Sequence, residues 1–228
     1  MKKGIITIVV LLCTSTLVFA DYNGSVNTNQ SELIFSQKDE YDFITFEKNY
    51  FTEEVGSPQL PVKILEYVIP IDMNVKDIII NSCEQVQIDG TYFVYPAQPP
   101  HLTDGSEPPP FVEQNIEIYG SSTPYPDKLV EVISDRFTRS YHIVTLRFYP
   151  IEYIPAQQKI NLYTSIDFTI EYESNPGPIQ LPLRQNLRRQ KLAEGFIKSS
   201  VENPDDFESV TGGAQEIIPE RTEMEART

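Results

Sequence analysis

The sequence predicts an all-β fold: an antiparallel β-sandwich or jelly-roll-like domain, followed by a short C-terminal helix and a flexible acidic tail. Three observations carry this expectation. Ile166, Phe168, Ile170 and Tyr172 alternate with Asp167, Thr169 and Glu171, and because side chains two apart share one face of a strand, this segment reads as a half-buried strand. Similar apolar or alternating runs occur at 32–35, 42–46, 62–69, 75–80, 92–95, 130–133 and 142–149, with no helical segments between them. Finally, Tyr, Phe, Ile and Val fill the runs, and turn residues such as Asp89-Gly90 separate them. Short strands joined in this way bury their apolar faces by packing sheet on sheet.

The first element is not part of that domain. Lys2 and Lys3 precede the apolar stretches 5–12 and 16–19, and Val18-Phe19-Ala20 leads into polar sequence. This is the pattern of a signal peptide, residues 1–20, cleaved after Ala20. Cys13, Thr14, Ser15 and Thr16 interrupt the apolar run, and a membrane span needs about 20 predominantly apolar residues. Leu11 and Leu12 stand before Cys13 where a lipidation signal would have small residues. The expected location is therefore secreted, extracellular or periplasmic.

The formal net charge is −15, and removing Lys2 and Lys3 with the signal, which holds no acidic residue, takes it to −17. Such a surface repels nucleic acid and anionic lipid, so neither is an expected partner. It serves solubility outside the cell, or a basic partner. Cys83 is the one thiol beyond residue 20, so internal disulfides are excluded and the core must supply the stability.

The domain is expected over 21–176. Within it, the segment from Ala97 to Pro110 holds five prolines and one glycine, which excludes a helix or a central strand. Connections have a median of about 4–6 residues, so so long a loop marks either an interaction element or an extended surface excursion. Past Asn175-Pro176-Gly177-Pro178 the pattern changes. Leu183, Leu187, Leu192, Phe196 and Ile197 recur at helical spacing among Arg184, Arg188, Arg189 and Lys191, predicting an amphipathic helical segment over 177–200 that Gly195 weakens. Residues 201–228 are acidic and polar and are expected to be a linker or disordered tail.

Candidate chemistry is sparse. A cysteine nucleophile needs a base, and the only histidines are His101, in the proline loop, and His142, in a predicted strand. A buried inert cysteine and two ordinary histidines are the better account of Cys83, His101 and His142. The motifs of serine hydrolases, zinc peptidases and phosphate-binding loops are missing, and two separated histidines with one cysteine make no zinc site. No catalytic or metal-binding residue is assigned. Asp72 to Asp77 has acidic spacing loosely like a calcium loop without its glycine and terminal glutamate, so structural calcium competes there with a solvated turn. The 13 tyrosines, with no Trp, fit sheet packing better than a sugar-binding platform.

A set of motifs in fixed order carries a family likeness. Gly56-Ser57-Pro58-Gln59-Leu60-Pro61-Val62, followed by Tyr67-Val68-Ile69-Pro70, comes first. Next are Tyr95-Pro96-Ala97-Gln98-Pro99, then Pro110-Phe111 with Tyr119 and Tyr125-Pro126. Last come Arg147-Phe148-Tyr149-Pro150-Ile151-Glu152-Tyr153-Ile154-Pro155 and Ile160-Asn161-Leu162-Tyr163-Thr164-Ser165-Ile166. Over roughly Tyr41 to Tyr172 this resembles the N-terminal prodomain (propeptide) of gingipain-type cysteine peptidases, peptidase family C25. The motifs also have local roles. Gly56 permits a turn that a Cβ would resist, and Pro58 and Pro61 bracket an extended approach to a strand. Pro150 and Pro155 end one strand and start the next across a tight connection, against whose base Tyr153 can pack.

The resemblance implies a non-catalytic domain that assists the folding of a caspase-like cysteine endopeptidase and holds it latent, acting in cis or in trans. It also implies that a loop residue fills the enzyme's specificity pocket. The corresponding loop here is 97–110, with His101, Thr103 and Asp104 as candidates; it has no Arg or Lys. An acidic Asp104 would suit a basic pocket. Arg188, Arg189, Arg221 and Arg227 are candidate processing positions. No cofactor is implied. The competing reading is a stand-alone extracellular β-sandwich that binds surface glycans or proteins.

Overall fold

A computed structural model describes residues 21–48, 50–101, 105, 107–138, 141–175 and 187–207. The strands are β1 (Tyr22–Asn27), β2 (Ile34–Lys38), β3 (Tyr41–Thr45), β4 (Lys63–Ile69), β5 (Met73–Ile88), β6 (Val130–Thr138), β7 (Tyr141–Phe148), β8 (Ile151–Ile154) and β9 (Lys159–Ser174). Two short helices accompany them, α1 (Ile116–Tyr119) and α2 (Leu187–Lys198). All ladders are antiparallel. One sheet has the order β1-β9-β5, with β8 also on β9; a second has the order β4-β7-β6; and β2-β3 is a separate hairpin. The expected antiparallel β-sandwich with a short C-terminal helix is the observed fold.

Period 2 explains how the layers meet. Phe168, Ile166 and Ile170 of β9 pack with Val144, Leu146 and Phe148 of β7 and Tyr67 and Ile69 of β4, forming the core between the two sheets. The intervening residues of β4 and β7, Val68 and Ile143 with Tyr141, point the other way and pack with Ile197, Val201 and Phe207. The central strand β7 is thus covered on both faces, which is why 142–149 reads as a nearly continuous apolar run. A second core at the far end joins Leu33, Ile44, Phe46, Leu60, Val94, Tyr153, Ile160 and Leu162.

The expected strands differ from the observed ones where local pattern misleads. β5 is 16 residues long rather than the 75–80 segment, because three register shifts against β9 break its alternation and its second half is exposed. β1 escapes notice because it reads Tyr-Asn-Gly-Ser-Val-Asn. Its Gly24 is required, since a Cβ there would stand 2.6 Å from the Phe168 ring that β1 closes over. Segment 92–95 makes a bridge from Val94 to Asp42 but no strand. Between Pro150 and Pro155 lies a strand of its own, β8, which turns into β9 through Gln158 at φ 54.

The C-terminal part of the described chain also departs from expectation. Ala193 and Ile197 of α2 face the sheet, while Leu192 and Phe196 of the expected apolar stripe are 67% and 74% exposed; Leu183 lies outside the described residues. Residues 201–207, expected to begin a linker, instead carry Val201, Asn203 and Phe207 into buried positions. Gly195 faces open space, with nothing within 4 Å of an added Cβ. Gly195→Ala is therefore expected to raise stability by about 0.5–1 kcal/mol, read as a higher urea midpoint at unchanged m-value.

Burial also links stability to alkaline pH. Tyr125, Tyr153 and Tyr163 are each pushed up to about 12, first by burial and then, for Tyr125 and Tyr163, by the charges of Glu54 and Glu152. An unfolded phenol titrates near 10, so the fold holds these protons more tightly. Their contribution is complete below about pH 10 and is lost as pH climbs towards 12. Circular dichroism and phenolate absorbance are expected to change together in that window, as one cooperative unfolding.

Candidate functional site

The proline-rich loop is held at its neck by backbone pairing between two of the sequence motifs. Gln59 N–H donates to Tyr95 C=O at 2.8 Å, Ala97 N–H to Ser57 C=O at 2.8 Å, and Gly56 N–H to Ala97 C=O at 2.8 Å. Gly56 has φ +82, and its Cβ position lies 3.4 Å from the Glu113 carbonyl; a side chain is disfavoured there by backbone conformation first and by space second. The Thr52 hydroxyl donates to Pro58 C=O at 2.8 Å and accepts from Leu60 N–H at 3.0 Å, satisfying two main-chain groups of the proline-rich turn.

Gln98 closes the loop. Its side-chain amide donates to Val112 C=O at 2.8 Å and to Pro96 C=O at 3.0 Å, while its Oε1 accepts from Val112 N–H at 2.8 Å. A single amide thus does for the two loop ends what a ladder rung does for two strands. Beyond Val112, Asn115 N–H donates to Gly56 C=O at 2.9 Å, and the Asn115 side chain caps α1. Tyr119 at the end of α1 donates to Val94 C=O at 2.7 Å. The later motif locks the same end of the domain. Tyr125 and Tyr153 exchange backbone hydrogen bonds of 2.8 and 2.7 Å, and the fully buried Tyr153 donates its hydroxyl to Tyr92 C=O at 2.8 Å.

Of the loop candidates, His101 is exposed, while Thr103 and Asp104 lie outside the described residues. Arg188 and Arg189 fall on α2; Arg221 and Arg227 lie outside the described residues. Cys83 is exposed on β5 in one sheet. His142 is buried in the other, with Nε2 at Asp135 and Nδ1 3.4 Å from Pro70 C=O, its ring stacked on Phe137. Neither imidazole nitrogen is directed at Cys83. In the 72–77 segment Lys76 pairs with Glu171 and Asp77 accepts from Ile78 N–H, and among the described residues no group of three or more His, Cys, Asp or Glu is placed to hold a metal. Exposed aromatics such as Phe35, Tyr50, Phe111 and Phe137 sit on separate elements rather than in a row on one sheet.

No motif of the sequence marks Gln98 as a clamp. The available signal was a lone amide among prolines, which cannot donate backbone hydrogen bonds and so leave side chains to close the neck.

Backbone pairing between sequence motifs and the Gln98 side chain thus ties both ends of the proline-rich loop to the β-sandwich. The chain belongs to the Propeptide_C25 family, whose model matches residues 24–193, and is thereby a propeptide of the gingipain class of cysteine peptidases. Gingipain propeptides belong to secreted or cell-surface proteins, and no helix of the described residues is long and apolar enough to cross a membrane. The fold is similar to that in the complex of RgpB pro- and mature domains from Porphyromonas gingivalis, with a TM-score of 0.64 at 15% identity, covering 84% of this chain and 95% of that one. It is also similar to a structure addressing the zymogenic latency of gingipain K from Porphyromonas gingivalis, with a TM-score of 0.58 at 19% identity, covering 69% and 90%. At these identities the likeness is one of fold. No curated protein matches the chain.

Proposed function

We propose that this propeptide is a secreted folding assistant and latency-maintaining inhibitor of a gingipain-type, caspase-like cysteine endopeptidase, with 97–110 as the loop that meets the enzyme. The observation that carries the reading is the neck built by Gly56–Gln59, Tyr95–Ala97 and Gln98, which fixes where the loop leaves the domain. A segment anchored at both ends loses less entropy on binding than a free one, so it can occupy a cleft with useful affinity. The solved relatives, a pro- and mature-domain complex and a zymogen-latency structure, support a peptidase partner. In this reading Asp104 fills the specificity pocket, flanked by His101 and Thr103. The signal 1–20 directs export, 21–176 forms the inhibitory domain, and 177–200 with the tail leads towards the processing sites. Arg221 and Arg227 are favoured for processing over Arg188 and Arg189, because a helix must open before a peptidase can cut it.

The test is inhibition of a C25 catalytic domain from the same source by the chain from Asp21 to Thr228. Slow, tight inhibition is expected, weakened by Asp104→Ala. Gln98→Ala is expected to weaken it roughly tenfold by loosening the neck, about the value of one or two hydrogen bonds, while leaving the bulk of the fold intact by circular dichroism. No binding to any such catalytic domain would overturn the reading.

A further inference from the structure

Beside the loop's C-terminal root lies a shallow cavity of about 310 Å³ lined by Asp39, Glu40, Tyr41 and Phe111. Its parts come from two elements. Lys38 and Tyr41 are the last paired residues of the β2-β3 hairpin, so Asp39 and Glu40 form its two-residue tip. Asp39 takes φ 57, the left-handed conformation such tight turns require. Phe111 follows the three prolines that end the loop and is 46% exposed. Tyr41 is buried between them, stacked on Phe93 with ring centroids 4.7 Å apart and 6.3 Å from Phe111.

The residues lining the cavity carry two carboxylates and no cation. Asp39 and Glu40 are exposed and make no ion pair with any described residue. Glu113 stands behind them, accepting from the Tyr41 hydroxyl at 3.4 Å. The neighbouring cation does not neutralise them, because Lys38 lies over the Tyr95 ring, 4.1 Å from its centroid. Burial, followed by the charges of Glu113 and Glu40, raises the Tyr41 phenol, as expected beside concentrated negative charge. Aromatic faces with carboxylates at the rim suit one kind of group: a guanidinium or ammonium, which gains both the ring quadrupole and the ion pair. An anion or a purely apolar side chain would leave the carboxylates uncompensated.

We propose that this cavity receives a basic side chain, Arg or Lys, projected by the peptidase domain, as a second anchor beside the loop. The proposal rests on the reading of the chain as a peptidase inhibitor and names a contact that reading does not supply. Charge complementarity is its basis: a chain of net charge −15 concentrates carboxylates that pair with no described cation around an aromatic surface at the foot of the proline-rich loop. The contact orients the loop's approach and accelerates encounter, and salt screens it.

The variant that tests it is Asp39→Asn with Glu40→Gln, which keeps side-chain shape and the hairpin tip while removing both charges. Against the catalytic domain, the double variant is expected to bind roughly tenfold to a hundredfold more weakly at low salt. Its affinity is also expected to depend less on salt. Phe111→Leu is expected to lower affinity at all salt concentrations. Glu84→Gln with Glu173→Gln, an equal charge change at exposed positions of β5 and β9, is the control expected to change little. Unchanged affinity and salt dependence in the Asp39/Glu40 variant, while the wild-type chain binds, would overturn the proposal and leave the inhibitor reading standing. If the wild-type chain binds no peptidase, the inhibitor reading fails, and N-acetyl-arginine methylamide becomes the probe, titrated while the Tyr41 and Phe111 ring signals are followed by NMR. Saturable shifts lost in the double variant would support a basic-group site; their absence in the wild type would overturn it.

Discussion

Phe168→Ala is expected to lower stability by about 3–5 kcal/mol, the largest loss for a single truncation in this domain. Phe168 is fully buried at the middle of β9, the strand shared by β1, β5 and β8. Its ring meets Phe148 at 5.0 Å, Tyr67 at 5.7 Å and Tyr22 at 6.3 Å between centroids, so it touches both sheets. Gly24 is fitted over it so closely that no side chain could replace the lost volume from above. The neighbours are held by their ladders and cannot collapse into the space, which places the cost at the upper part of the range. Urea unfolding would show it as a large fall in midpoint; a shift worth less than about 1 kcal/mol would mean that the two sheets are not packed through this ring.

The second large effect is expected at Asn203. Its buried amide donates to Val68 C=O and accepts from Val68 N–H, both at 2.9 Å, so one side chain acts as a strand partner for the edge of β4. Glu202 N–H adds a bond to Glu66 C=O at 2.8 Å. Asn203→Ala would leave two buried main-chain groups unpaired, at about 1–3 kcal/mol each. It would also uncover part of an edge that otherwise invites pairing with another chain. The measurement is urea unfolding together with hydrogen exchange at the Val68 amide, which is expected to become fast; an amide that stays protected would mean that β4 finds another partner. Asn203→Asp keeps the acceptor but loses the donor, and is expected to be no better than Ala.

These two positions differ in how visible they are beforehand. Phe168 stands in the clearest alternating run of the sequence, and its inward direction follows from period 2 alone. Asn203 lies in a polar, acidic stretch that composition assigns to a tail, and nothing local says that its amide will meet a strand more than a hundred residues earlier. The helix shows the same divide. Its existence was legible from spacing, but of the stripe that spacing suggested only Ile197 turns inward among the described side chains; Leu192 and Phe196 are largely solvent-facing, and the sheet selected Ala193 beside Ile197. Small residues allow a close approach of helix to sheet, a preference that only the partner surface can express.

At the candidate site, the loop and its prolines were plain from composition, and the ordered motifs around them already resembled the family to which the chain belongs. What those motifs do was not plain. Gly56, Gln59, Tyr95 and Gln98 are spread over more than forty positions, and their common purpose appears only where two extended segments pair backbone to backbone. The cavity of Asp39, Glu40, Tyr41 and Phe111 is further still from local reading, since a hairpin tip and a loop root some seventy residues apart form it together. Period, turn chemistry and composition act between near neighbours, and they determined the regular strands, the loop and the all-β class, but not β1 or the second half of β5. Which edge the chain's end covers, which helix face turns inward and which distant groups share a site depend on contacts between segments remote in sequence, and only the tertiary structure decides those.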